Sequence, residues 1–194
     1  PALNTHRNAV EDQHRADDDG GRVEIPKSLS LTDIGQFAFS NFDYVMKSEE
    51  EYARDDSSLS KQWYIGEGTI TKVIIPEGVT AIGQFAFNYC LKLSALDIPE
   101  TVRTIGAYAF RNCQLLKNID ISFVTELGDF AFQNCKAMTD ADISGLSEIP
   151  AFAFQGCTVL SDVKYSDRIT AIGNYAFFAC DLLESFDIPE TVTA

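Results

Sequence analysis

The chain's 194 residues, 45% hydrophobic and 23% charged, have ordinary globular content and suffice for one sizeable core. A formal charge of −14, from 15 basic against 29 acidic residues, argues against a nucleic-acid surface, because phosphate recognition needs basic patches; it leaves cations and basic protein surfaces open as partners. No apolar run reaches the roughly 18 residues of a membrane-spanning helix, so no direct membrane insertion is expected; Pro1-Ala2-Leu3-Asn4-Thr5-His6 lacks the basic flank and apolar stretch of a signal peptide, so that any such segment is read as already removed.

Residues 1–20 form a polar N-terminal segment, read as a tail or as a cap for the domain beyond it. Asp17-Asp18-Asp19-Gly20 mimics part of a calcium loop. Arg15 stands where the first acidic ligand belongs and Pro26 where the closing glutamate belongs, so that reading is rejected.

Residues 21–194 repeat one pattern. The five cysteines, Cys90, Cys113, Cys135, Cys157 and Cys180, recur at intervals of 23, 22, 22 and 23. Phe87, Phe110, Phe132, Phe154 and Phe177 keep the same step three residues earlier, and Phe39 opens that series with Phe42 in the cysteine place. Such a period marks a solenoid, here of about six to seven rungs. Within a rung, Leu93, Leu96 and Ile98 align with Leu116, Ile119 and Ile121, and then with Met138, Ala141 and Ile143. Leu160, Val163 and Tyr165 follow, and then Leu183, Phe186 and Ile188. The alternation predicts a short strand with one buried face, paired rung to rung in a parallel sheet. Pro76, Pro99 and Pro189 end such strands by removing a donor. The three-residue step from phenylalanine to cysteine predicts a helical turn on the return side. Both 22-residue rungs lose their residue between strand and glycine, where a loop tolerates change. The glycine column (Gly35, Gly83, Gly106, Gly128, Gly173) invites positive φ. Pro150 takes the same place in one rung, so either that rung differs locally or the column reflects close packing.

Phe39 and Phe87 are 48 residues apart, so one rung carries about 25 extra residues, which places an insertion at 46–69. It holds the capping-box pattern Ser48-Glu49-Glu50-Glu51 and then Gln62-Trp63-Tyr64-Ile65 with the only tryptophan. Insertions in repeat proteins map to loops, often on the binding face, so Trp63 and Tyr64 are candidate apolar anchors; a loop that only packs on the solenoid is the plainer reading. The chain stops at Val192-Thr193-Ala194, where Ile-Gly would follow, and so reads as a fragment of a longer protein.

Residues 93–113 follow Leu-x-x-Ile-x-Ile-Pro-x-x-Val-x-x-Ile-Gly-x-x-Ala-Phe-x-x-Cys nearly position for position, with Leu96 for one Ile. This resembles the BspA-like leucine-rich repeats over about residues 20–194. The resemblance implies a leucine-rich-repeat solenoid: a right-handed arc with a short-stranded parallel β-sheet on its concave face and short helical or irregular turns on its convex face. It also implies a cell-surface or secreted protein used in adhesion or host binding. It carries over no cofactor and no binding residue.

Chemistry is scarce. A ladder of one sulfur per rung does not converge as zinc ligands must, and an odd count of parallel side chains argues against disulfides, so buried free thiols are expected. His6 and His14 lie outside the repeats, no phosphate loop follows a strand, and no enzyme is expected. The strands' exposed face is more suggestive. One outward column runs Glu24, Ile74, Asp97, Asp120, Asp142, Lys164, Asp187; the next runs Arg22, Lys72, Ala95, Asn118, Asp140, Asp162, Ser185. Aspartates about 5 Å apart repel by about 1 kcal/mol each in water, and a cation at Asp97, Asp120 and Asp142, or a basic partner, would offset this. A merely solvated face is the ordinary alternative. A second aromatic column (Phe37, Phe85, Tyr108, Phe130, Phe152, Tyr175) could bind glycan if exposed, but packing is the commoner role. The expectation is a monomeric, non-catalytic module that binds protein (host or extracellular matrix) or glycan through Asp97, Asp120, Asp140, Asp142, Asp162, Trp63 and Tyr64. A structural spacer carrying a separate functional domain is the alternative.

Overall fold

The computed structural model describes residues 22–24 (backbone only), 33–35, 39 and 70–193. They hold twelve short strands in two series. The first series is β1 (Arg22–Glu24), β3 (Lys72–Ile74), β5 (Ala95–Asp97), β7 (Ile119–Asp120), β9 (Asp140–Asp142) and β11 (Asp162–Lys164). The second is β2 (Asp33–Ile34), β4 (Ala81–Ile82), β6 (Thr104–Ile105), β8 (Glu126–Leu127), β10 (Glu148–Ile149) and β12 (Ala171–Ile172). All pairing is parallel and joins equivalent positions of successive rungs, as in Val73↔Leu96, Ile119↔Ala141 and Ile105↔Leu127. The protein is a parallel β-solenoid of stacked coils.

The first series is the strand the alternation predicts; the second has no counterpart in that pattern. Its members are two residues long, each with one inward aliphatic (Ile82, Ile105, Leu127, Ile149, Ile172). The following glycine extends the ladder backwards: Gly83, Gly106, Gly128 and Gly173 each donate to the carbonyl of the previous rung's Ile34, Ile82, Ile105 and Ile149. Close approach, not backbone conformation, fixes these glycines. A Cβ on Gly128 would lie 2.2 Å from the Ala107 nitrogen and one on Gly173 2.4 Å from that of Ala151. The described positive-φ glycines are Gly78 and Gly156, neither of them in this column.

The return side contains no helix among the described residues. Ala86, Asn88 and Cys90 N–H close turns on Gly83, Phe85 and Phe87 carbonyls, while the intervening Phe85, Phe87 and Tyr89 donate to Ala107, Ala109 and Arg111 of the next rung. Every second donor is thus committed along the stack, which an α-helix cannot allow. Positive φ at Phe85, Tyr108, Phe130, Phe152 and Tyr175 (57–59°) and at Tyr89, Asn112, Asn134, Gly156 and Ala179 makes this alternation possible. Left-handed aromatics cost on the order of 1–2 kcal/mol each. The inter-rung bonds and ring stacking offset that strain.

Inside, like stacks on like. Phe39, Phe87, Phe110, Phe132, Phe154 and Phe177 form one column with ring centroids 5.0–5.5 Å apart and planes within 10°. Phe87, Phe110, Phe132 and Phe154 are wholly buried, in one core with Leu93, Leu116, Met138 and Leu160 and with Val102, Val124, Leu146 and Ile169. In the last rung the predicted strand of Leu183, Phe186 and Ile188 is not formed. No later rung stands beside it among the described residues, and Ile188 is 66% exposed.

The short rungs change their turn as expected. In the long rungs Val79, Val102, Ile169 and Val192 close on Pro76, Pro99, Ser166 and Pro189; in the short ones Val124 and Leu146 close on Ile121 and Ile143, one position nearer the strand. Residues 1–20 and the insertion expected at 46–69 lie outside the described residues.

Candidate interaction surface

The thiols belong to the frame. Each donates to the carbonyl of the phenylalanine one rung back: Cys90 to Phe39, Cys113 to Phe87, Cys135 to Phe110, Cys157 to Phe132 and Cys180 to Phe154, at 3.2–3.3 Å. All five are free thiols. Burial pushes Cys90 up to about 12 and Cys180, the least covered, up to about 11. Cys113 and Cys157 are raised by burial and then by neighbouring thiols, and Cys135 is raised by burial. Such thiols are protonated at neutral pH and poor nucleophiles. Hydroxyls on the edges play the same part, as Thr101 Oγ1 on Val79 O at 2.8 Å and Thr170 Oγ1 on Ser147 O at 3.2 Å.

The outward side of the first strand series carries the predicted acidic residues. Asp97, Asp120 and Asp162 are exposed, and Asp140 and Asp142 half-buried. Asp140 stands in register with Asp162, and Asp120 with Asp142; Lys164 is in register with Asp142 and interrupts the column. Between β5 and β7 there is no strand pairing, so Asp97 is not continuous with Asp120. Its carboxylate pairs with Lys72 Nζ at 3.0 Å, an exposed contact of the kind that contributes little.

Asp120 and Asp142 have a structural task that the charge pattern concealed. Where the long rungs at 97–99 and 187–189 read Asp-Ile-Pro, the two short rungs read Asp-Ile-Ser, and serine restores an N–H that proline lacks. Asp120 Oδ1 accepts from Ser122 N at 3.0 Å, and Asp142 Oδ1 from Ser144 N at 3.2 Å and Ser144 Oγ at 2.8 Å. These are local side-chain caps of the tightened turn. Asparagine keeps the accepting oxygen and alanine does not. Asp142→Ala should therefore lower unfolding stability by about 1–2 kcal/mol and Asp142→Asn by much less, as read from urea midpoints. Among the described residues no group of three or more His, Cys, Asp or Glu is placed to hold a metal ion.

The second aromatic column is packed. Phe85, Tyr108, Phe130, Phe152 and Tyr175 stack with centroids 4.4–5.2 Å apart. Ring faces that a sugar would need are turned on one another, except at the end of the column, where Tyr175 is 60% exposed. Beside them Arg111 lies 5.8 Å and 5.6 Å from the Tyr89 and Tyr108 centroids, and its Nε donates to Gln133 Oε1 at 2.6 Å. Gln133 in turn donates to Gln155, and Asn134 to Asn112 Oδ1 at 3.0 Å. Trp63 and Tyr64 lie outside the described residues.

Stacked coils with a self-satisfied interior and variable outward side chains define a repeat protein of the leucine-rich class. The family model described as BspA type leucine-rich repeat region matches six copies across residues 57–182, and the chain belongs to that family. It is similar to a leucine-rich repeat protein from Bacteroides ovatus ATCC 8483 (28% identity, 64% of this chain and 38% of that one, TM-score 0.51). It is also similar to a leucine rich cell surface protein from Faecalibacterium prausnitzii A2-165 (24%, 85% and 46%, TM-score 0.62). The T. pallidum leucine-rich repeat protein shares the fold (20%, 86% and 79%, TM-score 0.56). The chain thus spans less than half the length of the first two. No curated protein matches it.

Proposed function

We propose that this chain is a non-catalytic protein-interaction or adhesion module of a cell-surface or secreted protein, and that it binds through the outward face of the first strand series. One observation carries the reading: backbone, thiols and aromatic rings satisfy one another rung by rung, while Asp97, Asp120, Asp140, Asp142, Asp162 and Lys164 face outward on a fixed frame. A rigid face of this kind suits a basic protein surface, whose approach a net charge of −14 would speed. Trp63 and Tyr64 are proposed as further, apolar anchors. A family neighbour described as a cell surface protein supports the location.

The rival is a spacer domain, and the capping of Ser122 and Ser144 favours it by giving Asp120 and Asp142 a use that needs no ligand. The triple substitution Asp97→Asn, Asp120→Asn and Asp142→Asn separates the two, since it removes charge yet keeps the caps. Capture of host-surface and matrix proteins on immobilised wild type should fall at least about tenfold with the triple variant, and should weaken as salt rises. Equal capture by both would remove the acidic-face reading; no capture by either would leave the spacer.

A further inference from the structure

We infer that the rung carrying β7 and β8 is a joint, the place where the solenoid opens first although it lies mid-stack. The strand ladders that help to clamp successive coils are interrupted twice, on opposite sides of this one rung, while the return-side bonds run on through both junctions. The first series divides into β1-β3-β5 and β7-β9-β11; the second divides into β2-β4-β6-β8 and β10-β12. Below the rung, β6 pairs β8 but β5 does not pair β7; above it, β7 pairs β9 but β8 does not pair β10. Each neighbour therefore holds it by one strand ladder beside the return-side bonds (Phe110 N to Ala131 O below, Phe132 N to Ala153 O above), where the junctions on either side add two strand ladders to those bonds: β3-β5 with β4-β6, and β9-β11 with β10-β12.

Sequence accounts for where these breaks fall. The first coincides with the passage from the long turn closed by Val102 to the short turn closed by Val124. At the second, Pro150 fills the glycine position and has no N–H to give to the coil behind it. One charged side chain spans each gap. Arg103 Nη1 reaches the carbonyls of Glu100 and Val102 in its own rung and Phe123 O, 3.3 Å away, in the next. Asp129 Oδ1 accepts from Ala151 N at 3.0 Å, beside Pro150. Both are exposed and so are open to competition from water.

Gly106, Gly128 and Gly173 are matched probes, since each donates the same bond (to Ile82, Ile105 and Ile149) at a different junction. An evenly clamped stack frays from its ends and protects its middle best. Native-state hydrogen exchange, corrected for intrinsic rates, should instead show Gly128 exchanging at least about tenfold faster than Gly106 and Gly173. Gly128 as slow as Gly106 would overturn the joint. In Arg103→Met, Gly128 should accelerate further while Gly173 holds its rate; equal acceleration of both would overturn the role given to Arg103.

Discussion

Phe132→Ala should lower unfolding stability by about 3–5 kcal/mol, the range for removing a buried aromatic ring. The ring is wholly buried between Phe110 and Phe154, with centroid separations of 5.3 and 5.5 Å. Truncation therefore loses two stacking contacts, each contributing ~0.5–1.5 kcal/mol beyond the area buried. It also leaves a cavity that backbone bonds on both flanks keep from collapsing: Phe132 N donates to Ala153, and its carbonyl accepts from Cys135 N and Cys157 Sγ. Phe177→Ala, at the half-buried end of the same column, should cost clearly less. Urea midpoints of the two variants check this, and equal losses would show that the column is not one continuous core.

The chain should lose stability steeply above pH 9, through its thiols. Cys90, Cys113, Cys135 and Cys157 are buried and raised above the ordinary 9.0 mainly by desolvation. Above pH 9 the unfolded chain releases these protons and the folded chain keeps them. The unfolded state then binds fewer protons, so stability falls as pH rises; the contribution is intact below 9 and is lost toward the folded values, about 12 for Cys90. Between pH 8 and 10 each buried thiol should remove about 1–2 kcal/mol, on the order of 5 kcal/mol for the four. Tyrosine and lysine titrate in the same window, so the sharp test is a difference. Cys135→Ser keeps a donor for Phe110 O and should flatten the fall by one thiol's share; parallel pH slopes in the two proteins would contradict the placement.

How much of the fold is legible in the sequence depends on which interactions are periodic. Phe87 to Phe177 and Cys90 to Cys180 stand in columns because stacking puts identical positions in contact, and identity at a fixed step survives in the sequence. The first strand series is legible for the same reason, as alternation over Leu96-Asp97-Ile98. The second is not, because Thr104-Ile105 and its equivalents are too short for alternation to register. A three-residue Phe-to-Cys step suits a helix and a chain of turns equally; the left-handed φ of Tyr108 and Phe130 decides between them, and aromatic side chains give no hint of it. Between the two explanations of the glycine column, the structure supports close packing. For the acidic face, exposure is legible and structural use is not, although one signal is present: serine replaces proline after Asp-Ile in the two 22-residue rungs alone among the Asp-Ile rungs. Lys72 and Lys164 appear in the outward columns, but their effect on Asp97 and Asp142 depends on which coils pair.

A crystal structure that resolves the thiol column is the most direct test of the claim that every coil shares one interior. Cys113 Sγ should lie 3.2 Å from Phe87 O and Cys135 Sγ 3.3 Å from Phe110 O, on adjacent coils. Sulfurs pointing to solvent, or bonded within their own coil, would contradict it.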